Sequence, residues 1–353
     1  MQQRLDHIHG LRGIAALLVV LQHAAQFVDQ AGREHYGWLL DSVNIGRFGV
    51  ILFFLISGLV VPFSFSGETP VRNFAISRVF RLYPAYWLSM PVLALVAIIV
   101  FDSHFTAGQV LSNATMLQGL WGGRNIGPGY WTLVYEMSFY IICAGLYSFR
   151  LLGDAALNAV FVLAALIIAS APPVMLALGQ DPGFVTIMPF VMAMFFLGML
   201  LRRAFVDGSD VAGKWSLVLV PLAMLVGVLV SGGFQPAPRG GNIYLTPLAV
   251  SSGMALPIAA FVLVLWLKPA PPKWVMFLGT ISYSLYLFQD VGLYAVRAIL
   301  PPGDWPVGYV LGVVAFSTLL ASAIFRFVEQ PMIAMGRRIT HRTAAPGGTP
   351  AAA

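Results

Sequence analysis

The chain has 353 residues, of which 59% are hydrophobic and 10% charged, whereas soluble domains carry roughly 25% charged residues. Such a chain cannot cover itself with polar surface in water, which excludes a soluble globular domain and leaves lipid as its solvent. Its net charge of +6 follows from the sidedness of Lys and Arg described below, so it lends no support to a nucleic-acid partner. The single cysteine, Cys143, excludes an intrachain disulfide and any multi-cysteine metal site.

Runs of about 20 apolar residues mark helices long enough to cross a hydrocarbon core of about 30 Å. In chain order they predict spans near 11–28, 47–65, 80–101, 131–149, 155–178, 184–201, 215–232, 243–267, 274–296 and 305–328, an all-α polytopic bundle of about ten helices. Residues 1–25 have the outline of a secretory signal, but His7, His9 and Arg12 crowd its front, and the segment reads as a first span rather than a cleaved leader. Pro84, Pro91, Pro247 and Pro257 are the places where spans three and eight could kink or break. The Gly-rich stretch 102–130 reads as a long connection that could be partly re-entrant.

With the N-terminus inside, 14 of the 20 Lys and Arg fall on the inner side and five, Arg33, Arg47, Arg124, Arg239 and Arg297, on the outer, while Arg12 lies near the inner end of span one. Positive residues are retained in the cytoplasm, so both termini are expected there. Residues 1–339 then form one transmembrane domain, and 340–353, rich in Ala, Gly, Pro and Thr, a disordered cytoplasmic tail.

Three segments carry chemistry. In the first span Arg12 and His23 stand 11 positions apart, which returns to within about 20° of one helix face, roughly 16 Å further along. Ionisable residues inside a span are costly unless they face the protein interior or water, so both are functional candidates. The structural alternative has Arg12 snorkelling to headgroups and His23 bonded to a neighbouring helix. In Arg78-Val79-Phe80-Arg81 two arginines at i and i+3 share a face that could grip a phosphorylated ligand. Positive-inside anchoring explains that composition equally well. In Trp131-Thr132-Leu133-Val134-Tyr135-Glu136 the acid lies inside an apolar helix, with Tyr140 a turn on. Glu136 is expected toward the outer side, where it could orient an imidazole, bind a hydroxyl or pair with an arginine. Elsewhere Ser57 and Gly58 suggest close helix contact, and Arg326 and Glu329 a structural pair at i, i+3.

Taken together these segments resemble the acyltransferase-3 family of membrane O-acyltransferases. The likeness runs in order through Leu-Arg-Gly-Ile-Ala-Ala with Arg and His 11 apart, Phe-Phe-Leu-Ile-Ser-Gly, Arg-Val-Phe-Arg, Trp-Thr-Leu-Val-Tyr-Glu, Ser-Tyr-Ser-Leu-Tyr-Leu-Phe and a closing Glu-Gln-Pro. It implies an acyl-CoA, usually acetyl-CoA, as co-substrate on the cytoplasmic side with no permanently bound cofactor, and a sugar hydroxyl of an exported glycan or glycolipid as acceptor. It also implies the inner membrane of a bacterium, without the exported hydrolase-like domain that some relatives carry. The resemblance gives catalytic weight to His23, Arg12 and Glu136, donor-binding weight to Arg78, Arg81 and Arg12, and makes Trp131, Tyr140 and Arg47 acceptor-side candidates. Gln289 stands where many relatives have His, and Arg47 where an acidic or apolar residue is common. The expected mechanism has His23 as general base, the arginines on CoA phosphates or the developing oxyanion, and Glu136 orienting His23 or the acceptor. A covalent acyl-histidine relay is the competing mechanism. The rival function from another class is a proton-coupled transporter using His23 and Glu136 as a relay, and a third is a non-catalytic assembly partner of glycan machinery.

Overall fold

The computed structural model describes residues 5–31, 42–102, 104–181, 187–233 and 246–341, which leaves Arg33, Arg239 and the tail from 342 outside. The described residues are helical with short connections. Ten long segments follow the predicted order: α1 (Asp6–Gln30), α2 (Ile45–Val60, extended by a 3-10 turn to Phe63) and α3 (Pro70–Phe101) are followed, after a short α4 (Ala107–Ala114), by α5 (Tyr130–Ser148). Then come α6 (Ala155–Ala177), α7 (Met188–Phe205), α8 (Asp210–Gly233), α9 (Pro247–Leu267), α10 (Lys273–Ile299) and α11 (Pro306–Ile324). A π turn, Phe325–Glu329, leads from α11 into α12 (Gln330–His341). Eight of the long segments are apolar enough to cross a membrane; α5 and α10 fall short. Those two carry Glu136, Gln289 and Asp290, so the polar groups of the interior are what dilute their hydropathy.

Capping explains several of the boundaries. Asn44 accepts from the Arg47 amide at 2.8 Å, Asp154 from Ala156 at 2.8 Å and Thr246 from Ala249 at 3.1 Å, each satisfying an orphan amide of a first turn. Pro70, Pro247 and Pro306 occupy first turns, where no amide hydrogen is needed. Pro84, Pro91 and Pro257 lie inside helices that continue through them, as neighbouring helices permit in membranes. Helix α3 begins ten residues before its predicted start because the arginine-bearing segment that precedes the apolar run is itself helical.

α1 packs between α2 and α10; α2 also meets α7 and α9, and α3 lies against α10 and α12. The closest approaches are made by paired glycines. A Cβ on Gly13 would strike the backbone of Leu278 and Gly279, and one on Gly279 the backbone of His9, along the α1–α10 seam. Gly58 and Gly198 meet the Phe195 and Leu55 carbonyls in the same reciprocal way between α2 and α7. With lipid tails as apolar as any side chain, such close contact is a main source of helix association.

The 102–130 connection folds back into the bundle. Tyr83 and Tyr86 donate to the carbonyls of Thr115 and Asn113 at 2.9 and 2.8 Å, and Trp87 to that of Ala114 at 3.0 Å. Tyr86 lies 15 residues before the end of α3, so the segment descends about 22 Å along that helix. The fully buried Asn113 fastens the return, donating to the carbonyls of Gln109 and Arg124 at 2.8 Å each and accepting from the Ile126 amide at 3.1 Å. The hydroxyls of Tyr130 and Ser89 are hydrogen-bonded, so α5 starts midway along α3.

Because a methyl at Gly58 would have to displace backbone, Gly58→Ala should cost about 1–3 kcal/mol. This would appear as a lowered melting temperature of the detergent-solubilised protein, whereas alanine at Gly145, which has open space around it, should leave the temperature unchanged.

Candidate active site

α1, α2, α3, α5 and α10 enclose a cavity of about 240 Å³. Arg12, Arg78, Arg81, Glu136 and Tyr140 line it, with His9, Ser57 and Ser282 among the other polar neighbours. Its far end is apolar, formed by Val50, Phe53, Leu133 and the Tyr286 ring. Each helix contributes by register: Arg78 and Arg81 sit one turn apart on α3, Glu136 and Tyr140 one turn apart on α5.

Arg12 and Arg78 are held without being neutralised. Arg12 donates through Nε to the Ser282 hydroxyl at 2.8 Å. Arg78 donates to the Ser64 hydroxyl at 3.1 Å and lies 5.3 and 5.4 Å from the ring centres of Phe74 and Tyr140. Both carboxylates nearby are engaged by hydroxyls. Glu136 accepts from Ser57 at 3.3 Å and from Tyr140, while Glu329, only 2% exposed, accepts from Ser284 at 2.9 Å. Glu136 and Glu329 act on Arg12 electrostatically, and Arg81 on Glu329. Among the described residues none of the three arginines is ion-paired with a carboxylate. A half-buried cluster of this kind attracts an anion with several oxygens, such as a phosphate.

The position of Glu136 differs from the sequence expectation. It faces the arginine layer instead of the outer side, because the re-entrant connection starts α5 deep in the bundle. The expected Arg326–Glu329 pair is absent as well. The π turn shifts the helical register, burying Glu329 toward Ser284 and leaving exposed Arg326 to donate to Gln330 at 3.1 Å.

His23 does not line this cavity. It lies further out along α1, where its Nδ1–H donates to Gln289 Oε1 at 3.3 Å. Donation from Nδ1–H to that oxygen corresponds to the tautomer whose Nε2 is an acceptor. The neighbouring Gln22 accepts from the Gly46 amide at 3.3 Å, so His23 is level with the first turn of α2. Tyr286 stands between the two layers. Its hydroxyl is shared with Thr132 at 2.9 Å and donates to the Gly129 carbonyl at 3.1 Å, and its ring meets Phe53 edge-on at 5.9 Å. Of the acceptor-side candidates, Tyr140 belongs to the arginine layer. Trp131 packs against Tyr135 at 5.8 Å on the first turn of α5, and Arg47 lies on the first turn of α2 beside Gly253. The structure therefore gathers Arg12, Arg78, Arg81, Glu136 and Tyr140, and sets His23, Trp131 and Arg47 apart from them.

Sequence reasoning passed over Tyr286 and Asp290 and read Glu329 as a surface partner. A lone acid inside a span was the available signal for Asp290. Among the described residues no His, Cys, Asp and Glu are grouped in a way that could hold a metal ion.

Comparison with known proteins adds to this geometry. The exopolysaccharide production protein ExoZ of Rhizobium meliloti is 27% identical over 315 residues, 83% of this chain and 92% of that protein. The putative membrane-bound transacylase BcsY of Komagataeibacter xylinus is 26% identical, with 85% and 75% covered. The putative peptidoglycan O-acetyltransferase YrhL of Bacillus subtilis is 23% identical, with 94% and 55% covered. For several curated relatives, YrhL among them, the chain spans about half of the relative's length or less. No solved structure is similar to it. The profile described as an acyltransferase domain matches residues 5–326, so nearly the whole chain, including both polar layers, belongs to the acyltransferase-3 family.

Proposed function

We propose that the protein is a membrane O-acyltransferase that moves an acyl group, acetyl in the first instance, from acyl-CoA to a hydroxyl of an exopolysaccharide or other cell-envelope glycan. The observation that carries this reading is the cavity with three guanidiniums at one end, none ion-paired among the described residues, and Val50, Phe53, Leu133 and Tyr286 at the other. Phosphates of a CoA donor suit the cationic end. Arg12 and His23 are 11 residues apart on one helix, about 16 Å, a separation comparable with the reach of an extended pantetheine arm between phosphate and thioester. The inner membrane of a bacterium is the proposed location, with the donor on the cytoplasmic side.

In the proposed reaction His23 Nε2 takes the proton of the acceptor hydroxyl as its oxygen attacks the thioester carbonyl carbon. The tetrahedral oxyanion collapses, the carbon–sulfur bond breaks, and the CoA thiolate leaves with the proton that His23 carries. Such a base is worth about 10²–10⁴ in rate. Arg12 and Arg81 would bind the donor's phosphates, while Arg78, beside the edge-on pair of Phe74 and Tyr140, would add its charge to theirs. Glu136, held by Ser57 and Tyr140, is proposed to offset the mutual repulsion of the arginines. The names of ExoZ and YrhL support a polysaccharide acceptor.

Membranes carrying the wild-type protein should transfer label from radiolabelled acetyl-CoA to envelope glycan. His23→Ala at matched protein level should lower kcat by at least about 10². Proton-coupled uptake of a solute without transfer would overturn the proposal in favour of transport. The double variant Arg78→Gln, Arg81→Gln should raise KM for acetyl-CoA by about 10–100-fold, the loss expected for charge-assisted hydrogen bonds to phosphate. An unchanged KM would remove these two residues from the donor site.

A further inference from the structure

The connection 102–130 carries irregular backbone to a depth where lipid cannot solvate it. Its 3-10 turn, Gln118–Trp121, closes on Gly122 at φ 70°, and a Cβ on Gly119 would meet the Val134 side chain at 3.4 Å, so the turn lies against the first turns of α5. The Asn113 side chain, beside Tyr86, holds the Arg124 carbonyl and the Ile126 amide. Residues 121–125 therefore lie about 22 Å below the outer end of α3. Trp121, Gly122, Arg124 and Asn125 are exposed there, Trp121 by 75%. Asn125 accepts from Gln118 at 2.7 Å, whereas the Arg124 guanidinium has no hydrogen bond or ion pair among the described residues. The connection ends at Gly129, whose carbonyl accepts from Tyr286 at 3.1 Å, and Gln289, the partner of His23, is one turn further along α10.

Non-helical backbone at membrane depth is stable only where protein buries it or water reaches it. The chain does not bury these residues, and an unpaired guanidinium facing hydrocarbon would add its own cost. We propose that residues 121–125 form one wall of a water-filled vestibule open to the outer side, and that the acceptor glycan binds there, with a sugar ring against Trp121 and an anionic substituent, a carboxylate or a phosphate, on Arg124. The indole offers a flat apolar face to a sugar ring, and the guanidinium fork matches either anion. Gly122 adds no side chain between them, and the space that its Cβ would fill is open. The acceptor then enters from the outer side and the donor from the inner, and the two meet at His23. The acceptor assignment rests on the reading of the protein as a glycan acyltransferase; the vestibule rests on depth and exposure alone.

The test treats Arg124→Cys, Asn125→Cys and Leu95→Cys with a membrane-impermeant maleimide in right-side-out and inside-out vesicles; the native Cys143 is buried and stays silent. Leu95, 57% exposed on α3, is six residues from the outer end of that helix, about 9 Å. Depth alone would make it the most reactive of the three. Water in a vestibule reverses the order: thiols at 124 and 125 should react at least about tenfold faster than the one at 95, and from the outer side only, because a thiol in apolar surroundings forms little thiolate. Rates no higher than that of Leu95→Cys, or labelling from the inner side, overturn the vestibule, and the first of these leaves burial by a second chain as the account of the segment. Should Arg124→Cys fail to accumulate, Asn125→Cys decides. In label transfer from acetyl-CoA, Arg124→Gln should raise KM for the envelope glycan at least about tenfold with KM for acetyl-CoA within about twofold, and Arg124→Lys should recover at least about threefold of that loss. An unchanged KM for the glycan overturns the acceptor site. Wild-type membranes that transfer no label bring down the acyltransferase reading instead, and the labelling order still decides the vestibule.

Discussion

The structure depends on keeping three guanidiniums charged and free of ion pairs inside a membrane bundle. The cost of such a charge, about 2.5–3.5 kcal/mol at the centre of a span, falls toward the end where the three arginines sit, and the sequence offsets what remains without neutralising it. Ser64 and Ser282 accept from Arg78 and Arg12, two aromatic faces flank Arg78, and the carboxylates of Glu136 and Glu329 act from beyond contact distance. Those carboxylates could have closed on the arginines. Hydroxyls of Ser57, Tyr140 and Ser284 engage them instead. Direct pairs would stabilise the empty bundle and would have to be broken by any anionic ligand.

The depth of this layer is set by a segment that contributes no charge to it. Tyr83, Tyr86 and Trp87 hold the carbonyls of residues 113–115, the connection turns back along α3, and α5 begins beside Ser89. Only from that starting point do Glu136 and Tyr140 arrive level with Arg12 and Arg78. The same connection brings the Gly129 carbonyl and Thr132 to the Tyr286 hydroxyl, so one folded-back loop fixes both the carboxylate of the inner layer and the ring that separates it from His23.

Much of this was legible in the sequence and some of it was not, for identifiable reasons. All ten long helices were legible, eight of them as runs apolar enough to have few alternatives in lipid. It placed Arg12, Arg78 and Arg81 near one end, since positive-inside sidedness and helix register both read directly from position. Depth was hidden where the chain does not simply cross, which is why Glu136 reads as outer and lies with the arginines. Face was hidden where the period changes. The i, i+3 rule assigns Glu329 to Arg326, and a π turn between α11 and α12 turns it inward instead. Asp290 was masked by its neighbour, since attention falls on Gln289 as a departure from the family pattern while the acid beside it fits no motif.

The α1–α10 seam explains why the two polar layers can act together although about 16 Å of helix lies between them. Arg12 meets Ser282 and His23 meets Gln289, so both layers are formed across the same pair of helices. Between α1 and α10 the backbones touch at Gly13 and Gly279, where no side chain fits. That contact sits one residue from Arg12 and three from Ser282, and it sets the interhelical distance on which the Nδ1–H bond to Gln289 also depends. A shift of α10 against α1 would therefore loosen the arginine layer and the histidine layer at once. Rigid glycine contact along the seam and the hydrogen-bonded ring of Tyr286 beside it divide the work: the first sets the spacing of α1 and α10, and the second stands between the two polar layers.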